Sequence, residues 1–150
     1  MKHHSSHVFL FVVVAVASCG GGASPVDQSL TGGSLTGAGV RLTTGESSYQ
    51  AGASVNLAVE NLESERLAYN ACTRTLEVLE GTAWKAGPAS HRLCSKEVWY
   101  IEAGESRLAI TDLDLGLVPG VYRIVLTFAR DYAPDGVVIN AVSNPFTITP

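Results

Sequence analysis

The chain changes its period near residue 40. From there to Pro150 it carries short segments in which large apolar side chains recur at every second position. In "AGASVNLAVENL", Val55, Leu57 and Val59 point one way while Asn56, Ala58 and Glu60 point the other. "GVYRIVLTFAR" sets Tyr122, Ile124, Leu126 and Phe128 on one face, with Val121, Arg123, Val125 and Thr127 opposite. "SRLAITDLD" brings Leu108 and Ile110 together, and "NPFTIT" does the same for Phe146 and Ile148. Successive side chains of a strand point to opposite faces, so this pattern marks half-buried strands. Turn signals separate them: "QAG" at 50–52, "EGT" at 80–82, "AGP" at 86–88, "AGE" at 103–105, "VPG" at 118–120 and "PDG" at 134–136. No segment has the period of an amphipathic helix. About seven short strands at this spacing predict an all-β fold, a two-sheet antiparallel sandwich over residues 40–150. A chain of 150 residues has room for one such domain.

The first eighteen residues obey a different rule. "MKHHSSH" is short and mildly basic, and "VFLFVVVAVA" supplies ten apolar residues in a row. That length suits the core of a signal peptide and is too short to span a bilayer. Residues 1–18 are therefore expected to be a targeting segment, and His3, His4 and His7 to be lost with it rather than to bind metal. From Gly20 to Gly39 the chain reads "GGGASPVDQSLTGGSLTGAG", in which "SLTG" occurs twice. Gly, Ser and Thr with few large apolar side chains cannot form a core, so residues 19–39 are expected to be a disordered tether. Twenty such residues reach roughly 25 Å, enough to lift a domain clear of lipid headgroups.

Between these two segments stands "VASC", Val16 to Cys19. It resembles the lipobox of bacterial lipoproteins: an aliphatic residue, two small ones, then cysteine. The resemblance implies a thioether from Cys19 to diacylglycerol, cleavage just before it and acylation of the new amino group. Each buried methylene adds about 0.8 kcal/mol, and more than one acyl chain makes the anchoring stable. Ordinary cleavage after Ala17 is the competing reading, and it would leave Cys19 a free thiol. Three cysteines in an exported chain leave one unpaired. Lipidation of Cys19 accounts for the odd one and leaves Cys72 and Cys94 as a pair, expected to be oxidised outside the cytoplasm. A zinc site using Cys72, Cys94 and His91 is the alternative for those thiols; it lacks an identified fourth ligand. In Gram-negative lipoproteins an Asp after the lipidated cysteine commonly retains the protein on the inner membrane. Gly20 stands there, so the resemblance leans toward the outer membrane.

Charge excludes some partners. Without Lys2, nine Lys and Arg face fourteen Asp and Glu, a net charge of −5, and no long run of one sign occurs. Such a chain offers no basic stripe for nucleic acid and no polybasic patch for anionic lipid. Membrane attachment has to be covalent, through acylated Cys19 in the lipid bilayer.

The domain's own residues carry a second resemblance. "YQAGASVNLAVENL", "LAYNAC", Trp84, Cys94, "PGVYRI" and "SNPFTI" together resemble a bacterial immunoglobulin-like domain of exported lipoproteins, across about residues 40–150. More loosely, the chain resembles the β-sandwich of the bacterial intracellular proteinase inhibitors. Under the first resemblance, Tyr122 takes the place of a structural tyrosine corner, its hydroxyl returning to backbone. Ile124 stands where the second intersheet cysteine of antibody domains would be, so the domain must be stapled differently, by Cys72 and Cys94.

Residues able to do chemistry are few. His91 is the one imidazole left after processing, and no serine sits in a nucleophile elbow. Asp112 and Asp114 share a strand face, but Gly116 and Arg123 occupy positions where a calcium loop needs ligands. No catalytic residue, metal or cofactor is therefore expected. Trp84, Trp99 and Tyr100 are candidates for core or for a ligand-binding face. Alternation pairs Val98 with Tyr100 and Trp99 with Ile101, and one pair should be buried. The connection "RDYAPDGVVINAV", with Tyr132, Pro134 and Asp135, has the composition of a contact loop at a sandwich end. The expectation is a non-catalytic binding or structural module in the bacterial envelope, recognising an unknown envelope protein or glycan. The alternative is a proteinase inhibitor acting through that loop.

Overall fold

A computed structural model of the chain describes residues 39–89, 94–130 and 136–150. The elements, in chain order, are β1 (Val40–Thr44), β2 (Ser48–Gln50), β3 (Ser54–Asn61), β4 (Leu67–Tyr69), β5 (Thr75–Glu80), β6 (Ala83–Ala86), β7 (Trp99–Ile101), β8 (Ser106–Asp112), β9 (Gly120–Arg130), β10 (Val138–Val142) and β11 (Phe146–Thr149). One 3-10 turn, Ala71–Thr73, separates β4 from β5. No α-helix occurs among the described residues, and none of their helices is long and apolar enough to cross a membrane.

Two sheets pack face to face. The smaller has the order β1-β3-β8; the larger runs β2-β11-β9-β4-β7, with β10 and β5 also on β9 and β6 on β5. Eleven segments amount to seven strands, because four strands are each cut in two. The first, β1 with β2, crosses from the smaller sheet to the larger at Gly45–Ser47. The last, β10 with β11, breaks where three residues (143–145) oppose two of β9, since Val142 pairs Val125 and Phe146 pairs Tyr122. This is a bulge, and Pro145 sits in it without an N–H to leave unpaired. Ser143 holds it by donating its N–H to the Ile124 carbonyl (2.8 Å) and accepting the Ile124 N–H on its hydroxyl (2.9 Å). The strand-to-strand pairings are antiparallel except that of β2 with β11, where the crossing first strand meets the last one running in the same direction, and an isolated bridge from Leu42 of β1 to Ser143 is parallel as well.

The core follows the alternation in most strands. Val55, Leu57 and Val59 of β3 face Tyr122, Ile124, Leu126 and Phe128 of β9 and Phe146 and Ile148 of β11, all buried. β8 does not follow it. Its inward residues are Ala109 and Thr111, while Leu108 and Ile110 stand 61% and 65% exposed. The cause is register. Ala109 pairs Leu57 and Thr111 pairs Val55, and paired residues share a face. The space beside these small side chains is taken by Arg74, only 5% exposed, which crosses between the sheets. Its guanidinium donates to the Thr111 hydroxyl and the Asp112 carbonyl.

Tyr122 is fully buried, and its hydroxyl donates to the Val118 carbonyl at 3.0 Å. Burial pushes its pKa up.

Candidate functional site

β4, the 3-10 turn and β5 form the outgoing arm of a long hairpin, and β6 and β7 form its return. At the tip, Glu80 pairs Ala83 across Gly81 and Thr82, with Gly81 at φ +62°, a conformation glycine adopts without a Cβ penalty. Both arms are interrupted at the same level. Between Tyr69↔Trp99 and Glu77↔Ala86, the outgoing arm departs at 70–74, and the described residues of the return arm, 87–89 and 94–98, make no ladder pair with it. Cys72 lies in one interruption and Cys94 in the other, joined by a disulfide with their Cα atoms 5.3 Å apart. The bond sits within one sheet rather than between the two, and it consumes both thiols that a zinc site with His91 would need.

Asn70 fixes the local path. Its side-chain carbonyl accepts the Cys72 N–H (2.8 Å), capping the 3-10 turn, and its amide donates to the Ser95 carbonyl (2.8 Å). An asparagine suits this place because its short side chain can satisfy a turn's first free N–H. Held at Ser95 and Cys94, the segment 94–98 stands off the sheet and leaves a concavity on each side.

The larger concavity, about 460 Å³, lies on the outer face of the larger sheet. Ala68, Thr127 and Ala129 form its floor, and Thr73, Lys96 and Val98 its walls. Tyr100 pairs Ala68 and Val138 pairs Ala129, so both share this face, and both are exposed. The Arg66 guanidinium lies 4.7 Å from the Tyr100 ring centroid, which keeps a cation at the rim. The smaller concavity, about 160 Å³, runs beside β8 and is lined by Asn70, Ala71, Glu97, Trp99, Ile110 and Thr111. Behind the floor, the buried Tyr69 hydroxyl finds no hydrogen-bond partner among the described residues. Burial raises its pKa, opposed in part by the nearby Arg107 charge.

The aromatics divide otherwise than the alternation predicts. Ile101 is buried, but its expected partner Trp99 is 39% exposed and Tyr100 is 40% exposed, with Val98 half-buried. The three-residue strand β7 lies at a sheet edge, and Trp99 lines the smaller concavity beside β8 rather than joining the core. Trp99 instead touches Tyr69 edge-on, ring centroids 6.3 Å apart. Trp84 is half-buried on the outer face of the larger sheet, its ring 4.2 Å from the Arg123 guanidinium, which also pairs with Glu77 at 2.5 Å. Asp112 accepts the Ser54 hydroxyl at 2.6 Å. Glu105 accepts the Glu102 N–H and pairs with Arg107, and these two contacts hold its carboxyl below the usual range. Among the described residues no three His, Cys, Asp or Glu side chains converge as metal ligands do.

Cys19, His91, Tyr132, Pro134 and Asp135 lie outside the described residues. The chain that carries the last three leaves β9 at Arg130 and returns beside it, the Arg130 N–H donating to the Val137 carbonyl at 3.1 Å. The sequence reading missed Asn70 and Arg74. An Asn ahead of a short Ala-Cys-Thr stretch is a recognisable cap signal. An arginine in a polar stretch carries no sign that it will be buried.

A family model described as a bacterial Ig-like domain matches residues 36–142. The match begins inside the stretch read as tether and ends before β11, which nonetheless completes the larger sheet. No curated protein matches the chain. The proteinase-inhibitor alternative finds no support in these comparisons.

Proposed function

Because the chain belongs to the bacterial Ig-like domain family, we propose that it is an exported lipoprotein, held in the outer membrane by acylated Cys19, that presents a binding module to the envelope. The observation that carries the anchor is "VASC" placed directly behind ten apolar residues. The binding face is the larger concavity beside the disulfide. Its apolar floor, exposed Tyr100 and cationic rim suit an envelope protein or a glycan, since aromatic faces and a few placed polar groups are what such ligands use. Tyr132, Pro134 and Asp135 join the contact from the neighbouring connection. Domains of this family are generally non-catalytic, and the module works by contact alone.

Metabolic labelling with palmitate tests the anchor. The native chain takes up label and fractionates with the outer membrane, whereas Cys19→Ala gives an unlabelled, unprocessed precursor. Label retained by Cys19→Ala removes the reading. For the binding face, Tyr100→Ala and Tyr132→Ala should each leave the melting midpoint nearly unchanged while weakening retention of the partner captured from native envelopes. A partner retained equally by both variants places the contact elsewhere.

A further inference from the structure

Most cations of the described residues have a carboxylate partner. Arg41 pairs with Glu60, Lys85 with Glu80, Arg107 with Glu105, Arg123 with Glu77 and Arg130 with Glu63. Arg74 is buried and donates to Thr111 and to the Asp112 carbonyl. Arg66 and Lys96 remain, both exposed and neither in an ion pair among the described residues. Anions are not scarce, since the chain has fourteen Asp and Glu against ten Lys and Arg. Both unpaired cations belong to the larger concavity. Lys96 stands in its wall, and Arg66 enters β4 beside its floor, with its guanidinium over the Tyr100 ring. They bracket that floor lengthwise. Arg66 precedes Ala68 by two residues, and Asn70, two residues beyond Ala68, holds the Lys96 segment through the Ser95 carbonyl. The extended chain from Arg66 to Asn70 covers roughly 13 Å.

Between the two charges the floor is flat and small. Tyr100, Ala68, Ala129 and Val138 lie in one row across the sheet, so two methyl groups separate a phenol from an isopropyl group. That row is three strand spacings wide, about 14 Å. The next row holds Thr127 and Asn140, whose side chains bond each other at 2.9 Å and leave the Asn140 amide N–H groups for a ligand. A sugar ring matches this surface, because its C–H face is apolar and its hydroxyls lie around the edge. An extended peptide matches it poorly. β4 has β9 and β7 on its two sides, and β9 is likewise flanked on both, so the floor offers no free ladder for main-chain pairing. We propose that this face takes an acidic saccharide chain whose rings carry carboxylates, lying along β4 with one carboxylate on Arg66 and another on Lys96. The inference rests on the binding face proposed above and names its ligand class. A guanidinium over an aromatic ring keeps its N–H edge for bidentate contact with a carboxylate, and the lysine adds a point charge at the other end.

Titration of the full chain in mild detergent with a short oligouronate tests this. Binding is expected, and raising the salt should weaken it several-fold, because exposed charges are screened. The methyl ester of the same oligosaccharide should bind several-fold more weakly, and so should a polyglutamate peptide, which brings the charge without the rings. Arg66→Gln and Lys96→Gln change exposed positions and should each weaken binding several-fold with the melting midpoint unchanged. Lys85→Gln removes a cation already paired with Glu80 and should leave binding as it is. Equal binding of the ester or of polyglutamate overturns the inference. So does a chain that takes up no oligouronate, or one whose affinity neither glutamine variant moves. The underlying reading of the face fails separately. An envelope partner lost in Tyr100→Ala, from a chain that ignores oligouronate, keeps the face and removes this ligand; a partner retained by Tyr100→Ala and Tyr132→Ala removes the face itself.

Discussion

The two ends of the sandwich are closed by different means. Where the first strand crosses between sheets, closure is done by packing and by polar side chains that bond backbone. Tyr49 meets Phe146 edge-on with ring centroids 5.3 Å apart, and Tyr122 stacks on the other side at 6.4 Å. The Asn144 side chain accepts the Thr44 N–H and donates to the Thr44 hydroxyl, both at 2.7 Å, and so ties the first strand to the last. Where the long hairpin meets β8, a disulfide braces the hairpin's two arms, a buried arginine bridges to β8, and large apolar side chains are left in solvent. A core end gains stability from every contact and leaves little to bind with. An end held by a few strong bonds can keep Trp99, Tyr100, Leu108 and Ile110 outside. The contrast suggests where stability and recognition are separated in this domain.

Substitution at the packed end should cost most. Phe146→Ala empties a fully buried site between two rings and is expected to lose about 3–5 kcal/mol in denaturant unfolding, a large share of a small domain's stability. Opening the staple comes next: Cys72→Ser with Cys94→Ser frees a loop with a sequence separation of 22 and should cost roughly 3 kcal/mol. Its signature differs, since hydrogen exchange should rise at 70–74 and 94–101 while β9 and β11 stay protected. If the double serine variant loosens β11 as well, the two ends are not separate. Tyr122→Phe removes one buried hydroxyl bond to Val118, an effect of about 1 kcal/mol by the same unfolding measurement.

The smallest effect is one of pH. The carboxyl of Glu105 is held below its usual range by the Glu102 N–H and Arg107, so its contribution is present above the unfolded pKa and is lost as pH falls through the folded one. Glu105→Gln should therefore flatten the acid side of the melting profile, in the ordinary carboxylate range and below, leaving neutral pH almost unchanged. At the other extreme, burial raises Tyr69 and Tyr122. Their contribution is complete below pH 10.0 and declines above it, where the unfolded chain ionises first. An alkaline midpoint that does not fall above that pH would contradict the burial of both hydroxyls.

The packed end was legible in the sequence because its strands are flanked on both sides. Tyr122, Ile124, Leu126 and Phe128 alternate cleanly, and so do Val55, Leu57 and Val59. The turn signals at Gly52, Gly81 and Gly104 coincide with residues at positive φ. Two cysteines for one pair led to Cys72–Cys94. At the other end the same rule failed for a physical reason. Alternation reports that two faces differ, not which one faces inward, and β8 has its apolar side chains outward because Arg74 and Thr111 occupy the inside. Nor does alternation foresee a break. The departure at Asn70, and the concavities that follow from it, depend on hydrogen bonds between segments 25 residues apart.

The parallel pairing of β2 with β11 has a mechanical consequence. Thr147, Ile148 and Thr149 lie beside Ser48, Tyr49 and Gln50, with both strands running the same way. A pull on the chain's early residues against its last ones acts along these strands in opposite directions. The hydrogen bonds between them then share the load in shear and must fail together, whereas the ladder of a hairpin pulled at its open end would unzip one bond at a time. The β2–β11 pairing therefore resists that direction of force better than a hairpin ladder of the same length would.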